Sequence, residues 1–216
     1  MAVDDWLAGT LLMRQSQLES YIGRVLVFCH RHSMKTSSRI VESGYTPTAK
    51  LLHWVVAALM IAQFTIAWFM PHIGRDTKPD TIINLHFSLG ILILAIVVVR
   101  LGWRWTHSEP APLGIPPWQV RSARVVHAML YLLLLIIPLL GWMNASWRGF
   151  DVTVFGLFRL PRLMATRASG FGWTGDVHIV LSWYVMLTFV GLHVAAALYH
   201  ALVRCDHVLA RMLPGG

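Results

Sequence analysis

The segment that decides the fold is HIVLSWYVMLTFVGLHVAAALYHALV, residues 178–203, which contains no Asp, Glu, Lys or Arg. At about 1.5 Å per residue, a helix of this length is long enough to span the roughly 30 Å hydrocarbon layer of a membrane. Three histidines, His178, His193 and His200, interrupt the apolar run. An ionisable side chain inside a spanning helix is costly, and its default interpretation is functional. The segment therefore predicts a membrane helix whose histidines do chemistry or bind a ligand.

Three more apolar runs with the length of a membrane span precede this segment, at residues 51–70, 85–105 and 125–142. Of the 216 residues, 56% are hydrophobic and only 13% are charged, whereas about a quarter of the residues in a soluble domain are charged. We therefore predict an all-α integral membrane protein, a four-helix bundle that occupies residues 45–216. Residues 1–44 are predicted to be an N-terminal extension, unassigned or partly disordered.

The net charge of +8 is carried by basic residues that lie between the apolar runs, where they indicate topology. Nine Lys and Arg fall on one side of the predicted bundle and six on the other, which favours both termini in the cytoplasm. The sequence has no nucleic-acid-binding signature, so a nucleic-acid partner is not expected. The two cysteines, Cys29 and Cys205, form no C-x-x-C pair, so neither a zinc knuckle nor a covalently attached haem is supported.

Four histidines form two predicted layers in the membrane. With this topology, His86 and His178 lie near the outer end of their helices, and His53 lies near the inner end. His193 follows His178 by 15 residues, about 22 Å along the helix, and at about 100° per residue the two share a face. Two stacked haems, each bound by one imidazole from either side, need this arrangement. We therefore predict the pairs His86/His178 and His53/His193 as haem ligands. Zinc is not favoured, because no carboxylate or thiolate accompanies these histidines.

Two further histidines are weaker candidates, His200 near the end of the fourth helix and His127 at the start of the third. At about 20° from His193 on the helical wheel, His200 faces the same interior. We consider both for a quinone site. The alternative for each is a histidine at the level of the lipid headgroups.

The longest predicted loop, residues 143–176, carries four arginines, Arg148, Arg159, Arg162 and Arg167. One interpretation is an ordinary exposed loop. The other is a positive funnel that steers an anionic electron donor toward the outer haem and raises its association rate.

The chain resembles the bacterial cytochrome b561 family from about residue 45 to its C-terminus. The motifs that carry the resemblance are His53-Trp54, His86, Val97-Val98-Val99-Arg100, His127-x-x-x-Tyr131, Pro138-x-x-Gly141, Gly191-Leu192-His193, Ala195-Ala196-Ala197-Leu198 with His200, and Arg211-Met212-Leu213-Pro214. The resemblance implies four helices in the bacterial inner membrane and two haem b groups. The family's axial ligands match His53, His86, His178 and His193.

The resemblance also implies several functions. In one branch of the family, superoxide donates an electron at the outer face and ubiquinone accepts it, and we favour this function. The alternative is a membrane anchor that connects a dehydrogenase, a hydrogenase or another redox partner protein to the quinone pool. A transporter without haem is the third hypothesis. The expected partners are the lipid bilayer, quinone, and superoxide or a redox protein, and a homodimer is possible.

Overall fold

A computed structural model describes residues 44–74, 77–107, 110, 114–206 and 208–213. The predicted extension, apart from its last residue, lies outside these described residues. Among them are four helices long and apolar enough to cross a membrane: α1 Pro47–Phe69, α2 Thr81–Thr106, α3 Pro117–Arg148 and α4 Thr174–Arg204. The predicted fold class, an all-α membrane protein with four spans, is confirmed. Residues 45–193 form one compact unit, and the residues from Val194 onward belong to a second unit that is described separately.

Helix α4 is not a uniform α-helix. It consists of α-helical Thr174–Val180, π-helical Leu181–Met186, α-helical Leu187–Tyr199 and π-helical His200–Arg204, and a short 3₁₀ turn, Ala210–Met212, follows. A π-helical stretch accommodates extra residues and is frequent at functional sites. The first such stretch lies between His178 and His193, so the angle between these histidines differs from the one expected for a regular helix.

The starts of α1 and α2 are fixed by side-chain caps. The Thr46 hydroxyl oxygen accepts a hydrogen bond from the Ala49 backbone N–H (3.3 Å) and another from the Trp103 indole N–H (3.1 Å). The Asp80 carboxylate accepts from the Ile83 backbone N–H at 2.8 Å. Such caps satisfy N–H groups that a helix start leaves without partners. Thr46 also ties the beginning of α1 to the end of α2.

Helices that follow one another in sequence pack side by side, so α2 contacts α1 and α3, and α3 contacts the first part of α4. Val56 of α1 with Ile93 and Val97 of α2 forms the centre of the buried core. Many large apolar side chains point outward, and Trp68 and Phe69 are 73% and 71% exposed. A bilayer is the solvent in which such a surface is favourable.

The connection between α3 and α4 is shorter and more ordered than the sequence predicts. Arg148 lies in the last turn of α3 rather than in a loop, and the next residue, Gly149, has φ +82°, which favours glycine and ends the helix. A two-stranded antiparallel hairpin follows, formed by Thr153–Val154 and Phe158–Arg159.

A buried hydroxyl fastens this hairpin to α2. The Ser88 oxygen accepts from the Phe155 backbone N–H at 2.9 Å and lies 3.1 Å from the Thr153 carbonyl oxygen. Ser88 is only 2% exposed, so these bonds have no competition from water. The hairpin is therefore held against α2 two residues beyond His86.

Candidate functional site

The four histidines predicted in the spans meet as two pairs. The ring centroids of His86 and His178 are 6.2 Å apart and their planes are inclined by 81°. Those of His53 and His193 are 6.1 Å apart, with an interplanar angle of 69°. Helix α4 contributes one histidine to each pair, while α2 and α1 contribute the others. These are the pairings that the sequence predicts.

The spacing of both pairs fits two imidazoles on opposite sides of one iron. A ring nitrogen binds a transition metal at about 2 Å, and the ring centre lies roughly 1 Å farther along the same line. Two such rings therefore have centroids about 6 Å apart. Among the described residues, no group of three or more His, Cys, Asp or Glu side chains is placed to hold a metal ion. Paired imidazoles suit haem, whose macrocycle supplies the remaining ligands.

His178 is held by the backbone of α3. Its Nδ1 lies 2.9 Å from the Ile137 carbonyl oxygen, so Nδ1 carries the proton and donates it, which leaves Nε2 for a metal. The close approach depends on Gly141, because a Cβ there would lie 3.0 Å from Cε1 and 3.2 Å from Nδ1 of His178. Glycine at this position makes room for the ring.

His86 contacts a side chain instead. The Gln63 amide nitrogen lies 3.1 Å from Nδ1, 3.3 Å from Nε2 and 3.1 Å from the backbone oxygen of His86. Gln63 lies in the last third of α1, facing α2. The two histidines of this pair are therefore supported differently, one by a backbone carbonyl and the other by an amide.

A cavity of about 490 Å³ surrounds the His86/His178 pair. This volume is in the range of cofactor and ligand pockets in proteins, which are mostly apolar with a few placed polar groups. Its polar lining includes Gln63, Asn144, Arg148 and Asp176, while leucines, isoleucines and aromatic side chains form much of the rest. The cavity can enclose a large apolar group between the two imidazoles.

Arg148 is the arginine of the predicted funnel that lines this cavity. Its Nε donates to the Asn144 side-chain oxygen at 3.0 Å, and Nη1 donates to the Gly74 carbonyl at 3.1 Å. These bonds hold the guanidinium near the end of the bundle where His86 and His178 lie.

The other three loop arginines contact other side chains. Arg159 and Arg162 lie 3.2 Å and 3.0 Å from the Asp151 carboxylate. The Arg167 guanidinium stacks over the Trp147 ring at 4.6 Å, a cation–π contact. Asp151 thus offsets part of the positive charge that the sequence analysis assigned to the loop as a whole.

The His53/His193 pair has a third histidine beside it. The ring of His127 lies 5.2 Å from that of His193, so this weaker candidate joins the predicted site. Nearby, Arg100 donates from Nε to the Tyr131 hydroxyl at 2.8 Å. Arg100 also donates from Nη1 to the Ala49 carbonyl oxygen at 3.4 Å, near the start of α1.

His200, the other candidate for a quinone site, belongs to the second unit and has a local partner. Its Nδ1 lies 2.6 Å from a carboxylate oxygen of Asp206, and Arg204 Nε is 3.2 Å from the same oxygen. The three side chains form a polar cluster at the end of the apolar run. A quinone role for His200 stays a prediction.

The comparison with known families decides the identity of the fold. Residues 44–215 match the family model for prokaryotic cytochrome b561. The chain belongs to this family. Cytochrome b561 homolog 2 of Escherichia coli K12 is 31% identical over 171 residues, which is 78% of this chain and 90% of that protein. Membership makes the chain a prokaryotic membrane cytochrome that transfers electrons and implies that it binds haem b.

Two other relatives carry informative names. A protein of Yersinia pestis named probable superoxide oxidase CybB is 30% identical over 167 residues, 76% of this chain and 92% of its own length. Cytochrome b562 of Cereibacter sphaeroides is 26% identical over 177 residues, 80% of this chain and 96% of its own. The chain thus covers most of each relative.

Sequence reasoning missed the groups that support the cytochrome's histidines. Gln63 is the only Asn, Gln, Asp or Glu between residues 51 and 70, and a polar group inside a span calls for a partner, so the sequence does contain a signal for it. Gly141 belongs to one of the motifs that carry the resemblance, but the motif does not show that this glycine makes room for the His178 ring. The Ile137 carbonyl gives no sequence signal at all, because every residue carries one.

Proposed function

We propose that this protein is a di-haem cytochrome of the bacterial inner membrane that transfers electrons from superoxide at the outer face to ubiquinone. Both termini lie in the cytoplasm in this proposal. Residues 45–216 form the cytochrome domain, and residues 1–44 are an extension of it. The observation that carries the proposal is the presence of two histidine pairs, each with centroids about 6 Å apart, in different parts of one helical bundle.

Each pair has a defined task in this proposal. His86 and His178 hold the outer haem b, and His53 and His193 hold the inner one. Bound haem supplies a one-electron couple whose potential depends on its axial ligands and surroundings. The Ile137 carbonyl keeps the His178 proton on Nδ1. The apolar lining of the cavity keeps water from the site and lowers the local dielectric constant.

Superoxide is the favoured donor for two reasons. One relative, 30% identical, is named a probable superoxide oxidase. The outer cavity also has a cation in its wall, since Arg148 is fixed there by Asn144 and Gly74. A positive group at the mouth of a low-dielectric cleft raises the local concentration and the association rate of a small anion. Arg159 and Arg162 contribute less to this field because Asp151 pairs with both.

The quinone is proposed to bind beside the inner pair. A quinone needs hydrogen-bond donors for its oxygens and protons when it is reduced. His127, 5.2 Å from His193, and the hydrogen-bonded Arg100 and Tyr131 offer such groups. His200, which bonds to Asp206, is the other candidate. Histidine is suited to pass protons because its ordinary pKa lies near neutrality.

The experiment that tests the function is rapid mixing of the purified protein with superoxide, with and without ubiquinone, while absorbance is recorded. We expect a b-type spectrum that superoxide reduces and quinone reoxidises. A b-type spectrum that does not respond to superoxide would refute the donor and favour the anchor function, in which a partner dehydrogenase or hydrogenase supplies electrons. A purified protein without haem absorbance would refute the whole proposal.

Variants of Arg148 test how the donor reaches the site. Arg148→Gln removes the charge, and Arg148→Lys keeps it, although lysine lacks the planar fork of donors. We expect the second-order rate constant for reduction by superoxide to fall about tenfold or more in Arg148→Gln and to be largely retained in Arg148→Lys. The rate constant should depend less on salt concentration in Arg148→Gln alone, because only that variant loses the charge. Equal rates in all three proteins would exclude steering by Arg148.

A further inference from the structure

The side chain of Gln63 is the least satisfied polar group near the His86/His178 pair. Its amide nitrogen contacts both ring nitrogens and the backbone oxygen of His86 at 3.1–3.3 Å. Its oxygen, Oε1, is buried and has no hydrogen-bond partner among the described residues. Leaving such a buried oxygen unpaired is destabilising. The amide therefore lies in the right place but presents only one of its two polar atoms to a partner.

Close packing explains why the amide occupies this place. Gly90 faces it from α2, one turn beyond His86, and a Cβ at Gly90 would lie 3.6 Å from the Gln63 nitrogen. The amide is thus confined between the ring of His86 and the backbone of α2. Within this space, a half-turn about the last side-chain bond exchanges the oxygen and nitrogen with almost no change of volume.

The chemistry of a metal-binding imidazole decides which atom must face the ring. One ring nitrogen binds the metal, and the other carries a proton that needs an acceptor. An amide nitrogen carries two hydrogens and cannot accept this proton, whereas an amide oxygen can. The amide lies within 3.3 Å of both ring nitrogens of His86 and in line with neither, so the ring has to turn about its Cβ–Cγ bond to direct the N–H of the metal-free nitrogen at the amide.

We propose that Gln63 is a positioning residue for His86, and that its amide oxygen accepts the ring N–H that faces away from the iron. This inference rests on the proposed function, in which His86 and His178 hold a haem. The buried oxygen gains its partner in this arrangement, and His86 gains the counterpart of the bond between His178 and Ile137. The carbonyl of His86 keeps its helical partner four residues along α2.

The bond has two measurable consequences. A hydrogen bond from the distal N–H makes the imidazole a stronger donor to iron, which stabilises the ferric state and lowers the midpoint potential. It also fixes the orientation of the ring, and the His86 and His178 planes are inclined by 81°. Nearly perpendicular imidazole planes leave two iron orbitals almost equal in energy and give a highly anisotropic ferric EPR signal.

Gln63→Leu tests the proposal because it keeps a similar volume and removes both polar atoms. We expect the midpoint potential of the outer haem to rise. At a fixed potential, the ratio of ferrous to ferric haem should increase by up to about tenfold, which corresponds to about 59 mV for a one-electron couple. The EPR signal of that haem should move as its ring turns. The inner haem, bound by His53 and His193, is the internal control and should keep its potential and its signal.

Thr65→Val is the matched control, since it also removes a polar group from α1, at an exposed residue that does not line the cavity and that bonds to the Ile61 carbonyl of its own helix. It should leave the potential of the outer haem nearly unchanged. Gln63→Met provides a second apolar variant of similar length in case Gln63→Leu does not fold. If both haems keep their potentials and EPR signals in a folded Gln63 variant, the proposal is wrong.

The same titration separates this inference from the proposed function. His86→Ala removes the outer component of the wild-type titration if His86 is an axial ligand, and this identifies which component to follow. If His86→Ala keeps both components, the ligand pair itself is wrong. If His86→Ala loses one component and Gln63 variants leave that component unchanged, only the role of Gln63 fails.

Discussion

Gly141→Ala should weaken the binding of one haem selectively, because the new methyl group meets His178. The added Cβ would lie 3.0 Å from Cε1 and 3.2 Å from Nδ1 of that ring, whereas carbon atoms prefer separations of about 3.5–4.0 Å. The ring must therefore retreat by about 0.5 Å. A retreat of this size would stretch the 2.9 Å contact with the Ile137 oxygen to about 3.4 Å, beyond the usual range for a hydrogen bond.

The size of the effect follows from these distances. Overpacking a well-packed site costs about 1–3 kcal/mol, and each 1.4 kcal/mol is a factor of ten in affinity. We therefore expect the outer haem to bind roughly 5-fold to 150-fold more weakly. The inner haem, held by His53 and His193, should stay bound. A single variant should therefore weaken haem binding at one site and leave it unchanged at the other.

The assay is the ratio of haem to protein in the purified variant, combined with a redox titration that resolves two one-electron components. Gly102→Ala is the matched control, since Gly102 also lies inside a helix and a Cβ there would meet nothing within 4 Å. Alanine favours a helix over glycine by up to about 1 kcal/mol, so the control should be neutral or slightly more stable. Two fully occupied haems with unchanged potentials in Gly141→Ala would refute the reasoning.

Three further changes probe other parts of the molecule. His193→Ala should remove the inner haem while the outer one persists, and a spectrum with full haem content would contradict the pairing. Ser88→Ala should lower the stability of the hairpin by about 1–3 kcal/mol, because the Phe155 N–H loses its buried partner. Faster protease cleavage of the loop after α3 would show this loss. An unchanged cleavage rate would mean that Ser88 does not hold the hairpin against α2. Asp151→Asn removes the counter-charge of two arginines and should raise the rate with superoxide at low salt, whereas a rate that does not change would show that these arginines lie outside the donor's path.

The spans and the family were predictable because long apolar runs and spaced histidines are strong signals. The predicted runs at 51–70 and 85–105 end within one residue of α1 and α2, and each helix begins four residues before its run. The third helix is longer than predicted. It continues past Trp142 to Arg148 because polar residues at the membrane surface are compatible with a helix, and only the backbone of Gly149 ends it.

The surroundings of the histidines were less predictable. The apolar runs predict which segments span the membrane, but they do not predict which side chains contact one another. The residues of the π-helical stretch of α4 do not differ in type from those of an ordinary apolar helix, so the sequence does not predict it. The stretch nevertheless changes the angle between His178 and His193. The pairings themselves depended on the assumed alternation of helix direction, and the ring distances support them, while the identity of the ligands stays a prediction.

The distance between the two histidine pairs along the membrane normal would make the proposed electron transfer depend on the membrane potential. His178 and His193 are 15 residues apart on one helix, about 22 Å of the roughly 30 Å hydrocarbon layer. In the proposed orientation and function, an electron that passes from the outer pair to the inner pair crosses about three quarters of the transmembrane field, at about 1.7 kcal/mol for each 100 mV. When the cytoplasm is negative, this movement is uphill. An energised membrane should slow electron entry toward quinone, and an uncoupler should release that restraint.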